Sequence, residues 1–349
     1  MKNKLKHLVP VLLALATITG SLSACELKPK AQQKVSKQGF YFDTIIQITL
    51  YGTTDEKYID DCFDMAKKYE DMLSNTVSYS EVSKINDAAG KEYVTVSNDT
   101  LELIKKGIKY GETSDGRFDI TIGKLSDLWN FSEIAENTDS KDNEVDASVV
   151  PSDAQIQSEL SHVNYHNIQI NGNDVMLTDS KAKLDLGGIA KGFIADKMKA
   201  YLQSKKITSG IINLGGNVLT VGEKSDGSDY TVGIQKPFDE SGEPICTVKI
   251  KDKSVVTSGI YERYYRVDGK LYHHILDTTT GYPVNNNLYS VTIISDSSCD
   301  GDALSTTCFA LGIDKAKELI NFLSGVEAIF VTDDYSIITT SDEYEVSTK

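Results

Sequence analysis

Only five histidines occur in 349 residues, and two of them, His273 and His274, stand side by side in YHHILDTTTGYPV (272–284). An imidazole that titrates near neutrality can take a proton from a hydroxyl nucleophile. The polar, turn-forming run after the pair leaves two readings: a catalytic loop ending a strand, or a hairpin with a solvated imidazole. A second stretch, KLDLGGIAKGFIAD (183–196), sets Asp185, two glycines and Lys191 at a strand-to-helix junction. Paired glycines let backbone approach a ligand closely, and a helix N-terminus favours an anion. A tight turn with Lys191 solvated accounts for the same residues, and the spacing is neither G-x-G-x-x-G nor a Walker A loop. In GDALSTT (301–307), Asp302 and Thr306 lie four apart and share one helix face. A carboxylate and a hydroxyl so placed suit a hard cation such as Mg²⁺. Asp302 alone also suits a helix cap. SDGRFDITIG (114–123) joins a glycine turn to Phe118 and Asp119, and TSGIYERYY (257–265) joins another to aromatics. Such rings stack on a ligand or fill a core.

The elements that must position these residues alternate between helical and strand patterns. DTIIQITLYG (43–52) is β-branched and reads as a strand; 56–73 and 97–114 read as amphipathic helices, the second capped by Ser97 or Asp99 and stopped near Gly111. Residues 132–150 are acidic and read as a surface loop, and 150–163 opens a short helix. NIQINGNDVMLT (167–178) is a hairpin about Asn-Gly, and 190–207 a helix. Residues 209–222 and 229–238 read as strands, with the glycines of GIINLGGN (210–217) marking a bulge or a close backbone approach. Residues 247–259 and 261–277 read as two hairpins, 288–296 as a strand, 301–312 and 314–323 as helices, and 327–341 as a last hairpin. Helices mixed with antiparallel strands give an α+β class.

The composition, 40% hydrophobic and 25% charged, is that of a globular chain, and a net charge of −15 excludes a nucleic-acid partner. At the start, Lys2, Lys4 and Lys6 precede an apolar run, 8–20, and LSAC (22–25) puts small residues before a cysteine. This reads as a secretory signal over 1–24 whose ending resembles a lipobox, so that Cys25 is lipid-bearing and the body faces outward from the membrane. An uncleaved anchor helix is the competing reading. Residues 25–37 are then a tether and 38–349 the domain. Cys62, Cys246, Cys299 and Cys308 form no C-x-x-C pair, which argues against zinc. Export permits a Cys299–Cys308 disulfide, but buried free thiols are the favoured expectation.

The chemistry-bearing stretches, in their order, resemble the ApbE-type FAD:protein FMN transferases. The matching blocks are 73–86, RFDITIGKLSDLWNF (117–131), LDLGGIAKGFIAD (184–196), INLGGN (212–217), 257–284 and SVTIISDSSCDGDALSTTCFALG (290–312). The resemblance implies a single ApbE-like, T-fold-related domain that takes FAD as substrate with Mg²⁺ at its pyrophosphate. It implies metal ligands at Asp302 and Thr306 with the backbone carbonyl of Gly188. Flavin-nucleotide contacts would come from Asp185 and Lys191, and from Arg117, Phe118 and Asp119 along the cofactor. His274 matches the histidine before the family's I-x-D-x-x-T-G turn, which leaves His273 a supporting or exposed role. The chain departs from the family at FDT (42–44), where Phe42 replaces a methionine, and at Asn75 and Thr76, where an aromatic is usual. Tyr79 could supply the missing ring.

The implied reaction is attack by a Thr or Ser hydroxyl of a client protein on the FMN-side phosphorus of FAD, with AMP leaving and His274 and Asp302 in the catalytic set. Two alternatives use the same site: an FAD pyrophosphatase with water as acceptor, and a non-catalytic FAD-binding lipoprotein.

Overall fold

The computed structural model describes residues 33–138, 143–239 and 241–348. In chain order the first part runs β1 (Lys34–Tyr41), β2 (Thr44–Tyr51), α1 (Lys57–Leu73), α2 (Glu81–Asp87), β3 (Val94–Thr95), α3 (Asn98–Thr113), α4 (Gly123–Trp129), α5 (Phe131–Glu136) and α6 (Asp153–Leu160). The middle holds β4 (Ile168–Asn171), β5 (Asp174–Leu177), α7 (Ala190–Ser204), β6 (Ser209–Leu214), β7 (Asn217–Gly222), β8 (Tyr230–Gln235), β9 (Pro244–Ile250) and β10 (Ser254–Gly259). The rest is β11 (Tyr264–Val267), β12 (Lys270–His273), β13 (Leu288–Ser295), α8 (Ser298–Leu311), α9 (Ile313–Asn321), β14 (Glu327–Thr332), β15 (Ile337–Thr339) and β16 (Val346–Thr348). Residues 1–32, which hold the stretch read as a secretory signal, Cys25 and most of the stretch read as a tether, lie outside the described residues.

An eight-stranded antiparallel sheet, ordered β1-β2-β6-β7-β10-β13-β14-β15, carries the molecule. Strand alternation divides its side chains between two cores. Ile46, Ile48, Leu50, Ile212, Leu214, Val291, Ile293, Ala328 and Phe330 join the helical core with α1, α3, α7 and α8. The intervening Val255, Ile294 and Ile329 meet Val232, Ile234 and Val248 of the small sheet β16-β9-β8 on the other face. A third cluster, Leu125, Trp129, Phe131, Ile156, Tyr265 and Leu276, seats the β11–β12 hairpin on α4, α5 and α6. The class is α+β, as the sequence indicates.

Helix α8 is buried on almost every side. Its near neighbour is α7, and the two cross at Gly192, where a Cβ would stand 2.1 Å from the carbonyl oxygen of Ser298. Only a glycine permits that approach.

Several sequence expectations are corrected. Residues 209–222 are two strands, not one: Gly215 (φ 60°) and Gly216 (φ 93°) make the turn of the β6–β7 hairpin. Residues 247–259 are not a hairpin, because β9 pairs with β8 and β16 while β10 pairs with β7 and β13. The region 132–150 holds most of α5, and Val145 N–H bonds to the carbonyl of Arg266. Strand β1 begins at Lys34, so pairing with β2 takes in residues read as tether. Helix α3 runs past Gly111 to Thr113, and its cap is Ser97, which accepts from Thr100 N–H.

Candidate active site

Helix α8 presents Asp302 and Thr306 on one face, as the i, i+4 spacing predicts. Asp302 does not cap its own helix. That position is Ser297, whose hydroxyl accepts from Asp300 N–H. Instead Asp302 Oδ2 accepts the N–H of Gly192 in the first turn of α7, at 2.9 Å. The relation is reciprocal. Asp196 of α7 accepts from Ser298 N–H (2.8 Å), Cys299 N–H (3.0 Å) and the Ser297 hydroxyl (2.9 Å) at the start of α8. Each helix supplies a carboxylate to the unpaired N–H groups at the other's N-terminus. Burial raises the carboxyl pKa of both Asp302 and Asp196.

Gly188 stands just before α7. A Cβ there would lie 3.1 Å from the Phe118 ring and 3.9 Å from Thr306 Oγ1. Gly188 thus stands beside Thr306, which shares a helix face with Asp302, and the three residues offer a carbonyl, a hydroxyl and a carboxylate oxygen. The carboxylate is 5% exposed, and among the described residues no lysine, arginine or histidine ion-pairs with it. A buried carboxylate without a contacting cation is costly. An all-oxygen donor set with one unpaired charge fits Mg²⁺.

Lys191 Nζ donates to the carbonyl of Gly187 at 3.3 Å. Its charge acts on Asp302, on Glu262 and on His274. Glu262 keeps a solvent-open face yet is ringed by protein. Burial pushes its carboxyl up to about 7 against the pull of Lys191 and Arg263, and the Asp302 charge adds to the rise. His274 is likewise part-open. Burial first, then the Arg263 cation, pushes its imidazole down to about 3.

The two histidines point to opposite sides. His274 N–H and His274 Nδ1 both meet the carbonyl of Arg263, at 3.1 and 3.3 Å. A carbonyl only accepts, so Nδ1 holds the proton and Nε2 keeps a lone pair. His273 is 5% exposed, against Phe309. Its Nε2 donates to the carbonyl of Val284 at 2.9 Å, and its Nδ1 accepts from Ile275 N–H at 3.3 Å. Burial pushes it down to about 4. Of the two roles open to His273, the structure gives it the supporting one and not the exposed one.

Arg117 reaches the segment that carries the histidines, donating from one Nη to Asp277 (2.9 Å) and Thr279 (3.2 Å). Phe118 is a core ring packed edge-on to Tyr110. Asp119 is buried, its two oxygens accepting from Thr121 N–H and hydroxyl and from Tyr165 N–H. These bonds hold the loop that follows Arg117 and Phe118. Asp185 Oδ1 accepts from Gly187 N–H at 2.8 Å, shaping the glycine turn. Phe42 lies in the β1–β2 turn at φ 54°, its N–H held by Glu70 Oε1 at 2.8 Å. No described contact joins it to the Asp302–His274 cluster. Tyr79 is exposed and bonded to Asp71.

Residues 42–330 match the family model described as ApbE family. The chain belongs to the ApbE family. An FAD:protein FMN transferase of Klebsiella pneumoniae is 38% identical over 300 residues, 85% of this chain and 89% of its own. One from Treponema pallidum is 31% identical over 291 residues, 79% of this chain and 77% of its own. The crystal structure of the ApbE protein from Thermotoga maritima superposes with a TM-score of 0.78 at 32% identity, covering 88% of this chain and 96% of that one. The ApbE fold thus spans the sheet, α7 and α8 together.

Sequence reading missed Glu262, Asp196 and Ser258. Glu262 and Arg263 sit in the quoted TSGIYERYY block and carried charge beside its aromatics, a signal that was available. Ser258 bonds to Ser305 at 2.7 Å and Thr306 at 3.1 Å; no spacing rule connects β10 to α8. All four described cysteines are buried free thiols, Cys299 and Cys308 included.

Proposed function

We propose that this ApbE-family chain transfers FMN from FAD to a Thr or Ser hydroxyl of a client protein, with Mg²⁺ held by Asp302, Thr306 and the Gly188 carbonyl. The observation that carries the reading is a buried carboxylate, Asp302, with no ion pair among the described residues, on the α8 face it shares with Thr306 beside Gly188, together with an imidazole, His274, whose Nε2 is free. Transfer between FAD and protein is also what the names of the relatives describe.

In this reading Lys191 and the α7 N-terminus attract the pyrophosphate, since both present positive charge to an anion. When bound, Mg²⁺ neutralises phosphate charge and makes the phosphorus easier to attack. The client hydroxyl forms the new O–P bond, the bridging P–O bond breaks, and AMP leaves with the bridging oxygen. The hydroxyl proton goes to His274 Nε2. Burial keeps that nitrogen deprotonated in the free protein, and the approach of phosphate charge raises its basicity when it is needed. Asp196 and Asp302 fix the two helices, so the site is positioned before substrate arrives.

Lipidation of Cys25 and an outward-facing domain belong to the same proposal, supported by the n-region, the short apolar run and LSAC. Among the described residues no helix is long and apolar enough to cross a membrane.

The test incubates the protein with FAD, Mg²⁺ and a candidate client and follows intact mass. An FMN-sized addition to the client with release of AMP supports the transferase. Free FMN and AMP with an unmodified client would make it a pyrophosphatase, and FAD retained unchanged would make it a carrier.

A further inference from the structure

The hydroxyl of Thr306 is part of a chain whose direction is fixed by its last acceptor. Ser305 Oγ donates to the backbone carbonyl of Asp302 at 2.9 Å. A carbonyl cannot donate, so this uses the single hydrogen of Ser305. Ser258 Oγ lies 2.7 Å from Ser305 Oγ, and the hydrogen between them must come from Ser258. Ser258 Oγ also lies 3.1 Å from Thr306 Oγ1. With the Ser258 hydrogen already placed, Thr306 is the donor there. The order is Thr306 to Ser258 to Ser305 to the Asp302 carbonyl.

The consequence concerns the two lone pairs of Thr306. A threonine hydroxyl left to itself rotates and can turn its hydrogen toward a cation, which repels it. In α8 the hydrogen is drawn to β10, and the oxygen is left as an acceptor beside Gly188 and on the face shared with Asp302. We propose that Ser258 is a positioning residue that fixes Thr306 as an oxygen ligand for a divalent cation. The proposal rests on the reading of Asp302, Thr306 and Gly188 as a magnesium site. Ser258 bonds Ser305 and Thr306 and acts through Thr306, as partners of metal ligands do elsewhere.

The experiment titrates MgCl₂ into the full-length protein by calorimetry, with and without FAD, for wild type, Ser258→Ala, Thr306→Val and the double variant. Ser258→Ala should weaken Mg²⁺ binding about 10-fold, and raise the Mg²⁺ concentration for half-maximal transfer equally, with kcat at saturating Mg²⁺ within about twofold. Adding Ser258→Ala to Thr306→Val should change Mg²⁺ affinity by less than about twofold, because the hydroxyl it orients is gone. Ser258→Thr, which keeps the hydroxyl, should restore affinity. Should Ser258→Ala fold poorly, Ser305→Ala serves instead: it releases the Ser258 hydrogen to turn toward Thr306, and affinity should fall similarly. Wild-type Mg²⁺ affinity in Ser258→Ala, or independent losses that add in the double variant, would overturn the role of Ser258 while leaving the metal site intact. A Thr306→Val protein that binds Mg²⁺ like wild type, or a wild type that binds none, would overturn the metal reading and this proposal with it.

Discussion

His273 and His274 are adjacent in sequence and carry their ring protons on opposite nitrogens. His273 donates from Nε2 to Val284 and accepts at Nδ1 from Ile275, whereas His274 meets the Arg263 carbonyl through Nδ1. Only His274 has an unused basic nitrogen. His274→Ala should slow FMN transfer by roughly two to four orders of magnitude with little change in FAD affinity. His273→Ala should act on stability instead, by about 2–3 kcal/mol, since it leaves the Val284 carbonyl and Ile275 N–H unpaired beside a cavity. Transfer rate, FAD affinity and urea midpoint on both variants separate these. A rate loss at His273 with stability intact would reverse the assignment.

The same burial makes a prediction about pH. His273 is lowered from its ordinary 6.5 to about 4 in the folded protein. Between those values the unfolded chain binds a proton that the folded chain refuses, so stability falls as pH falls. The contribution is complete above about pH 6.5 and, at its full extent near pH 4, removes about 3 kcal/mol. Asp119 and Asp196, whose carboxyls are raised by burial, act in the opposite sense. The readout is therefore the difference between wild type and His273→Gln in urea denaturation at pH 7 and pH 4.5. The variant should lose less stability on acidification, and parallel losses would contradict the burial of a neutral His273.

For His274 the sign matters to catalysis. An imidazole lowered to about 3 in the free protein stays a base well below neutrality. The acid limb of kcat/KM should then show no fall centred near 6.5. A fall centred there, absent in His274→Ala at its lower rate, would mean that the imidazole is more open than the structure shows.

Membrane attachment has a direct check. Cys25→Ser should move the protein from the membrane fraction to the soluble one, because a lipid chain needs the thiol. Retention through an uncleaved apolar segment would refute the anchor.

Much of this site was legible as spacing. The i, i+4 pair on α8 follows from local periodicity, and local periodicity survives folding, whereas β12 ends at His273 and His274 lies just beyond it, in a bend held by the Arg263 carbonyl. Asp185 and the glycine turn were legible for the same reason. What was not legible is the pairing of distant elements. Nothing in GIINLGGN distinguishes a bulged strand from a hairpin until Gly215 and Gly216 are seen at positive φ. The separation of β9 from β10 into different sheets depends on which partners each strand finds: β9 buries alternate residues, whereas β10 buries Ser254, Val255 and Val256 in succession, and neither pattern names a partner strand. The inward turn of Asp119 depends on Tyr165, 46 residues away in sequence.

Gly192 offers the sharpest test of how the two helices serve the site. Its N–H holds Asp302, and its missing side chain lets α7 meet the Ser298 carbonyl. In Gly192→Ala the new methyl would stand 2.1 Å from that backbone oxygen, and a backbone atom cannot swing aside as a long side chain does. The helices must part. Parting them strains the Asp196 bonds to the α8 N-terminus and the Asp302 bond to the α7 N-terminus together. Overpacking of this kind costs about 1–3 kcal/mol. Alanine favours a helix interior over glycine by about 1 kcal/mol, so a site without the clash would gain stability. Gly192→Ala should therefore lower both the urea midpoint and the Mg²⁺ affinity. Gly216→Ala, at φ 93° but with open space where its methyl would stand, should lower the midpoint alone. A Gly192→Ala protein as stable as wild type, with Mg²⁺ affinity unchanged, would mean that the α7–α8 crossing does not set the geometry of Asp302.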